Sequence, residues 1–399
     1  MRIRSQGLVL LAGLSILAAA CGPAAQSAAP SAASVAPASS APVESPSASA
    51  SAAATSDLKI GVVTDVGTVN DKNFNEFTYV GAQEGAAAIG AAEPPVVVPT
   101  SDADFGPLIQ AFIDQEFDVI VATGFNLEGV TAAAAKANPD IWFIGVDHAP
   151  CINATGDVDP TFADCSGDIA ALLPKYIALN YAEDQAGYLA GIVAASVPDA
   201  DIIGAIGGVS LCGPCIRYIQ GYEMGAKSVN PAITVKAAWV SDSDFRLGFA
   251  DQAAGKTFGQ QFIQQNAGID VLFQVAGLTG NGVLDAACAA SINAVGVDVD
   301  QHESYPASQP CILTSAEKKL ANSVSQSIVA ISEGTAAGGR TKFDAANDGI
   351  GVSAFYDAAS KLAPDTQAKV DEALAAMKAG TLETCPADCG SQDALPLGD

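Results

Sequence analysis

The sequence predicts an α/β protein made of two doubly wound, parallel-sheet lobes with a ligand cleft between them. Three observations lead there. From residue 58 onward, short and nearly continuous apolar runs alternate with longer amphipathic stretches, the pattern of parallel strands covered by helices on both faces. Two successive sets of these units fill about 340 residues, more than one core usually serves. Polar or glycine residues recur just past the predicted strand ends, where open parallel sheets bind ligands.

The elements follow in order. Arg2 and Arg4 precede the apolar run Gly7–Ala20, which ends in LSILAAAC at Cys21. A short positive segment, an apolar core of this length and small residues before the break describe a cleaved secretory signal over 1–20. The run is too short for a comfortable membrane span. A cysteine directly after small residues points to a bacterial lipoprotein, cut before Cys21 and acylated there, although Leu17 lies one place further out than the commonest lipobox has it. Ordinary cleavage nearby is the alternative. Residues 21–56 then form an Ala/Ser/Pro tether that cannot bury a core. The folded part would hang from the membrane without crossing it, in an extracytoplasmic setting.

Strand-like runs follow at 59–64, 95–99, 118–123 and 141–146, then at 201–207, 233–240, 270–276 and 292–297. Helical patterns fill 74–89, 104–116, 126–137, 185–196, 215–229, 248–266 and 280–290. The first crossing between lobes is expected near 178–184. CILTS (311–315) and a helix over 317–333 are expected to return to the first lobe. The expected division is 58–180 plus 313–345 for the N-terminal lobe and 181–312 plus 346–399 for the C-terminal lobe. In the tail, VDEALAAMKAG (370–380) reads as a helix closed by a glycine. Asp65, Gly124, Asp147, Gly207, Gly277, Asp298 and Ser315 fall at or just past predicted strand ends. Each alone is an ordinary turn residue; their recurrence in both halves implies a cleft fed by both sheets.

Charge and cysteines narrow the function. The 399 residues hold 44 Asp+Glu against 18 Lys+Arg, a net charge of −26. The first 56 contribute +1, so −27 falls on the folded part. Such a polyanion is repelled by phosphate backbones and anionic lipid, which argues against nucleic-acid binding. With only His148 and His302 present, metallohydrolase and Ser-His-Asp chemistry have little material. Asp157, Asp159, Asp164 and Asp168 lack EF-hand spacing, and no metal or cofactor is expected. Apart from Cys21, eight cysteines remain, an even number that suits an oxidising compartment but permits 105 connectivities. Proximity favours Cys151–Cys165, Cys212–Cys215, Cys288–Cys311 and Cys385–Cys389. The CGPC at 212–215 matches the thioredoxin motif, so it reads either as a structural staple before a helix or as a thiol–disulfide exchange centre.

The stretches VTDVGTVNDKNFNEFTYVGAQEGA (63–86), FIGVDH (143–148), AGYLAGIVAA (186–195), IQGYEMGAK (219–227), GFADQAAGK (248–256), DVLFQVAGLTGNGVLDAA (270–287), VGVDVDQ (295–301) and LTSAEK (313–318) resemble the basic-membrane-protein family of ABC-transporter solute-binding lipoproteins, which includes purine nucleoside receptors. The resemblance spans nearly all of 58–334. It implies the type I periplasmic-binding-protein fold and no enzymatic activity. It further implies a lipid-anchored receptor that captures a nucleoside by hinge closure and hands it to permease subunits. By the same resemblance, Phe74 and Phe249 would sandwich a purine ring, while Asp65, Asn75 and Asp147 would hold the base and line the cleft. Asp298 and Lys318 would fix the ribose hydroxyls, and Gly277 would admit the sugar against the backbone. The segment SDSDFRL (241–247) makes Phe245 a rival to Phe249. A sugar or another small polar solute is the alternative ligand.

Overall fold

The computed structural model describes residues 55–390. The signal segment, Cys21 and most of the tether lie outside the described residues. In chain order the strands are β1 (Ile60–Val63), β2 (Val96–Val97), β3 (Val119–Thr123), β4 (Trp142–Val146), β5 (Tyr176–Tyr181), β6 (Ile202–Val209), β7 (Thr234–Ser241), β8 (Val271–Val275), β9 (Asn293–Asp298), β10 (Ile312–Lys318), β11 (Gly339–Phe343) and β12 (Ile350–Val352). They form two six-stranded sheets, ordered β11-β5-β4-β3-β1-β2 and β12-β10-β9-β8-β6-β7. The first is parallel throughout, and in the second only β12 runs antiparallel.

Burial explains why these runs became strands. Every residue of β1, β3 and β8 is buried, as expected of parallel strands covered on both faces. Helices Phe74–Ile89 and Leu320–Ser332 pack together on the first sheet. Helices Glu183–Ala195 and Gly213–Val229 form the closest helix pair on the second. That second pair is joined through small residues. A Cβ on Gly187 or Gly191 would collide with the backbone carbonyls of Tyr218 or Tyr222. One on Gly221 or Gly225 would collide with those of Asp184 or Tyr188. Glycine at i and i+4 on both helices therefore lets the two backbones touch.

Several expectations need correction. β10 pairs with β9 in the second sheet, so the strand over 312–318 does not return to the first lobe. Return begins only with helix Leu320–Ser332, just past Lys318. Hydrogen bonding decides this, because β9 offers its free edge to the next apolar run. Ser315 is accordingly in mid-strand and not at a strand end. The helix expected over 248–266 is two helices, Phe245–Phe249 and Gln252–Gln265, because Asp251 turns the chain by accepting from the Ala254 N–H at 2.9 Å. β5, β11 and β12 were not anticipated. β5 ends the first run of first-sheet strands, and the helix Glu183–Ala195 packs on β10 in the second lobe. β11 returns to the first sheet beside β5, and β12 to the second beside β10.

The four cysteine pairings favoured by proximity are formed, with Cα separations of 4.6, 5.2, 5.3 and 5.4 Å. Cys385–Cys389 pins the tail: Gln220 Oε1 accepts from the Gly390 N–H at 2.8 Å, and Asp184 accepts from the Thr384 hydroxyl. No helix among the described residues is long and apolar enough to cross a membrane.

A cleft between two sheets as the candidate functional site

All eight residues proposed for the site line one cavity between the lobes: Asp65, Phe74, Asn75, Asp147, Phe249, Gly277, Asp298 and Lys318. It encloses about 580 Å³ of space free of atoms, part of it open to solvent.

Two acidic groups reach the cleft by the same local device, once in each lobe. Asp147 follows β4 in the sequence Gly145-Val146-Asp147, and Asp298 ends β9 in Gly296-Val297-Asp298. Both adopt left-handed backbone conformations, with φ of 61° and 65°. Non-glycine residues enter that region rarely and at a cost, so the turn that aims each carboxylate into the cleft is held by its surroundings. The two carboxylates converge on one ammonium: Lys318 Nζ lies 2.6 Å from Asp147 Oδ2 and 3.5 Å from Asp298 Oδ1. It also sits 4.9 Å from the centroid of the Phe74 ring. Lys318 is 3% exposed. Burial alone would lower its pKa, but the surrounding carboxylates raise it well above the ordinary lysine range.

A third carboxylate was not foreseen. Glu183, fully buried, accepts from Arg217 Nε at 2.8 Å and lies 3.6 Å from Lys318 Nζ. Its position in the first turn of a helix looks like ordinary dipole compensation, so nothing local marked it. Burial pushes Asp147 up to about 6 against the pull of Lys318, and pushes Asp298 upward as well. Asp147 Oδ1 is buried with no hydrogen-bond partner among the described residues. A buried acceptor without a partner is costly, and a ligand hydroxyl or amine would satisfy it.

Also lining the cleft, the Asp65 carboxylate accepts from the Val66 N–H at 2.7 Å, and Asn75 Oδ1 accepts from the Asp65 N–H at 3.1 Å. Burial raises Asp65 to about 7, with Asp102 and Asp147 adding repulsion. Gly124, at φ 97°, makes room for it: a Cβ there would lie 2.5 Å from Asp65 Oδ2.

Phe74 opens its helix from the first lobe, while Phe249 enters from the second. Of Phe245 and Phe249, the one that lines the cavity is Phe249. Phe245 stands behind it, ring centroids 6.4 Å apart, and meets Phe125 of the first lobe at 5.7 Å. The sequence reading also missed Asp71, Phe125 and Tyr218 as lining residues. Tyr218 Oη donates to Asp298 Oδ1 and to the Ala316 carbonyl, each at 3.3 Å. Cys212, Pro214 and Cys215 also form part of the wall. Both cysteines are almost fully buried, at 2% and 5% exposure, which leaves no accessible thiol for exchange with another protein.

A family model described as Bmp, ABC transporter substrate-binding protein PnrA-like, matches residues 58–379. The chain belongs to the Bmp family of ABC transporter substrate-binding proteins. Among relatives of this Bmp chain is the ABC transporter nucleoside-binding protein BmpA of Lactococcus lactis subsp. cremoris, 29% identical over 64% of this chain and 68% of that protein. A lipoprotein of Pyrococcus abyssi is 27% identical over 74% of this chain and 68% of its own length. A solved solute-binding protein from Aeropyrum pernix K1 superposes with a TM-score of 0.68 at 22% identity, covering 84% of this chain and 96% of that one. That likeness shows the two-lobed, type I periplasmic-binding-protein fold. As a Bmp protein the chain binds a small solute for a membrane permease and works outside the cytoplasm, and binding of this kind requires no chemical conversion.

Among the described residues, one cluster brings ligand atoms together, Asp184 with Cys385 and Cys389, and its two sulfurs are joined in a disulfide. In the acidic loop, Asp157 pairs with Lys136, Asp159 accepts from Thr161, and Asp168 caps a helical turn.

Proposed function

We propose that the solute is a nucleoside, captured by closure of the two lobes and released to the permease, and that Cys21 carries the lipid that holds the protein at the membrane. The observation that carries the ligand reading is the pairing within one cavity of two phenylalanines from opposite lobes with the Asp147–Lys318–Asp298 group. A flat aromatic pair suits a base, which stacks at roughly 1–3 kcal/mol per ring. Carboxylates that flank an ammonium suit vicinal hydroxyls, which both donate and accept. Asp65 and Asn75 would then hold the base edge. A phosphate would meet Asp65, Asp71, Asp147 and Asp298 against the single lysine, so the charge balance supports a nucleoside over a nucleotide.

Calorimetry against adenosine, guanosine, inosine and uridine tests the reading; absence of binding to all four rejects it. Phe74→Ala is expected to weaken binding by about 1–3 kcal/mol through lost stacking, and an unchanged affinity would place the base elsewhere.

The pH dependence follows from Asp65. A base that donates to Asp65 needs the carboxylate, whereas in the free protein burial holds the proton up to about pH 7. Affinity should therefore be flat above pH 7 and fall by up to about tenfold per unit below it. Below about 6, protonation of Asp147 steepens the loss. Titrations at pH 5, 6, 7 and 8 read this directly. Asp65→Asn should flatten the segment between 6 and 7, and a profile that keeps its slope would assign the proton to another group.

A further inference from the structure

A row of amides crosses from the second lobe to the first. The Ala276 N–H donates to Gln274 Oε1 at 3.0 Å, Gln274 Nε2 to Gln301 Oε1 at 2.6 Å, and Gln301 Nε2 to Asn281 Oδ1 at 2.9 Å. Asn281 Nδ2 then donates to the backbone carbonyl of Asp71 in the first lobe at 2.8 Å. Every member is buried: Gln274 and Gln301 are 0% exposed, Asn281 1% and Asp71 2%. The direction of the row is forced. It starts at a backbone N–H, which can only donate, and ends at a carbonyl, which can only accept, so each amide has one permitted orientation.

The row ends on the loop that builds the site. The Asp71 carboxylate accepts from the N–H groups of Asn73, Asn75 and Glu76, at 2.9, 2.9 and 3.0 Å. It thereby holds the helix start that presents Phe74 and Asn75 to the cleft. Beside it, Ser304 Oγ of the second lobe donates to the Lys72 carbonyl at 2.8 Å. Asn281 and Ser304 do not line the cavity.

We propose that Asn281, assisted by Ser304, is a closure latch: a positioning residue that holds the 71–72 loop against the second lobe and sets how much of the protein is closed. When the lobes part, the Asn281 amide and the Asp71 carbonyl separate and each meets water, so this hydrogen bond counts only in the closed form. An interaction confined to one of two forms multiplies that form's population, and apparent affinity scales with the population. The latch thus tunes affinity without touching ligand. Its link to affinity rests on the nucleoside reading above; its effect on closure does not.

The test uses the whole folded chain and the substitution Asn281→Asp. This keeps the side-chain shape and the acceptor for Gln301 Nε2, but it replaces the donor to Asp71 with an oxygen that repels the carbonyl. Small-angle scattering of the ligand-free protein is expected to show a more expanded form than the parent. Stopped-flow binding of the nucleoside that calorimetry finds tightest is expected to show an off-rate at least tenfold faster with an on-rate within about threefold, while the ligand-free melting temperature stays close to the parent's. A purely structural role would lower the melting temperature and leave the scattering of the folded protein unchanged. Ser304→Ala should shift both readouts in the same direction by a smaller factor, and it decides the matter if Asn281→Asp does not fold. An unchanged scattering profile or an unchanged off-rate overturns the latch. If the parent chain binds no nucleoside, the nucleoside reading fails and the scattering comparison alone decides the latch.

Discussion

Replacing Lys318 with methionine is expected to abolish nucleoside binding and to destabilise the ligand-free protein by about 3–5 kcal/mol at pH 8, the usual cost of removing one partner from a buried charge group. The side chain is 3% exposed and faces Asp147, Asp298 and Glu183 within 3.6 Å. Without it, Arg217 still reaches Glu183 at 2.8 Å and the Tyr218 hydroxyl still donates to Asp298 at 3.3 Å, but Asp147 loses its cation. Asp147 is already held up to about 6 with the lysine in place, and burial raises Asp298 too. Loss of the lysine raises both further. A carboxyl whose folded pKa exceeds its unfolded value binds its proton more tightly when folded. Its contribution is therefore full at low pH and fades as pH rises through the folded pKa. The defect of Lys318→Met should shrink markedly between pH 8 and pH 5. Urea unfolding of both proteins at the two values measures it. A loss of equal size at both would mean that packing of the lysine stem, and not its charge, was what mattered.

The second large effect is steric. Gly225→Ala would normally strengthen a helix by up to about 1 kcal/mol. Here the added methyl meets the Tyr188 carbonyl of the facing helix. Backbone cannot swing aside as a side chain can, so the helices must separate along their contact. A net destabilisation of about 1–3 kcal/mol is expected, the scale of overpacking in a dense core. Gly106→Ala provides the contrast, since a Cβ there has nothing within 4 Å, and a modest stabilisation is expected. Chemical denaturation of the two variants should move the midpoint in opposite directions; parallel shifts would refute the close-contact account. The helix that holds Gly225 also carries Tyr218, which touches Asp298, so looser packing should weaken ligand binding as well.

Strands buried on both faces announced themselves as apolar runs, and the two Gly-Val-Asp strand ends pointed to Asp147 and Asp298 without any coordinates. β11 gave no such signal. Arg340, Thr341 and Lys342 are all exposed, so what makes the segment a strand is the open edge of β5, and not its own composition. β10 misled for a related reason, because an apolar strand fits the edge of either sheet and only pairing with β9 chose between them. Asp71, Glu183 and Tyr218 escaped notice because each acquires its role from residues distant in sequence: Asn281, Lys318 and Asp298 respectively. On paper Phe249 was preferred, with Phe245 as its rival. Of the two, Phe249 lines the cavity, and the missing side chain at Gly208 leaves room for its ring.

The late arrival of β11 bears on how the molecule is made. β5 ends at Tyr181 and its outer neighbour begins at Gly339, about 160 residues later. A chain emerging from its N-terminus therefore presents a nearly finished first sheet with an unpaired edge, while the whole second sheet up to β10 is still to come. An open edge invites pairing with other chains, and species of this kind aggregate readily. That edge stays open until Gly339–Phe343 is available to pair with β5.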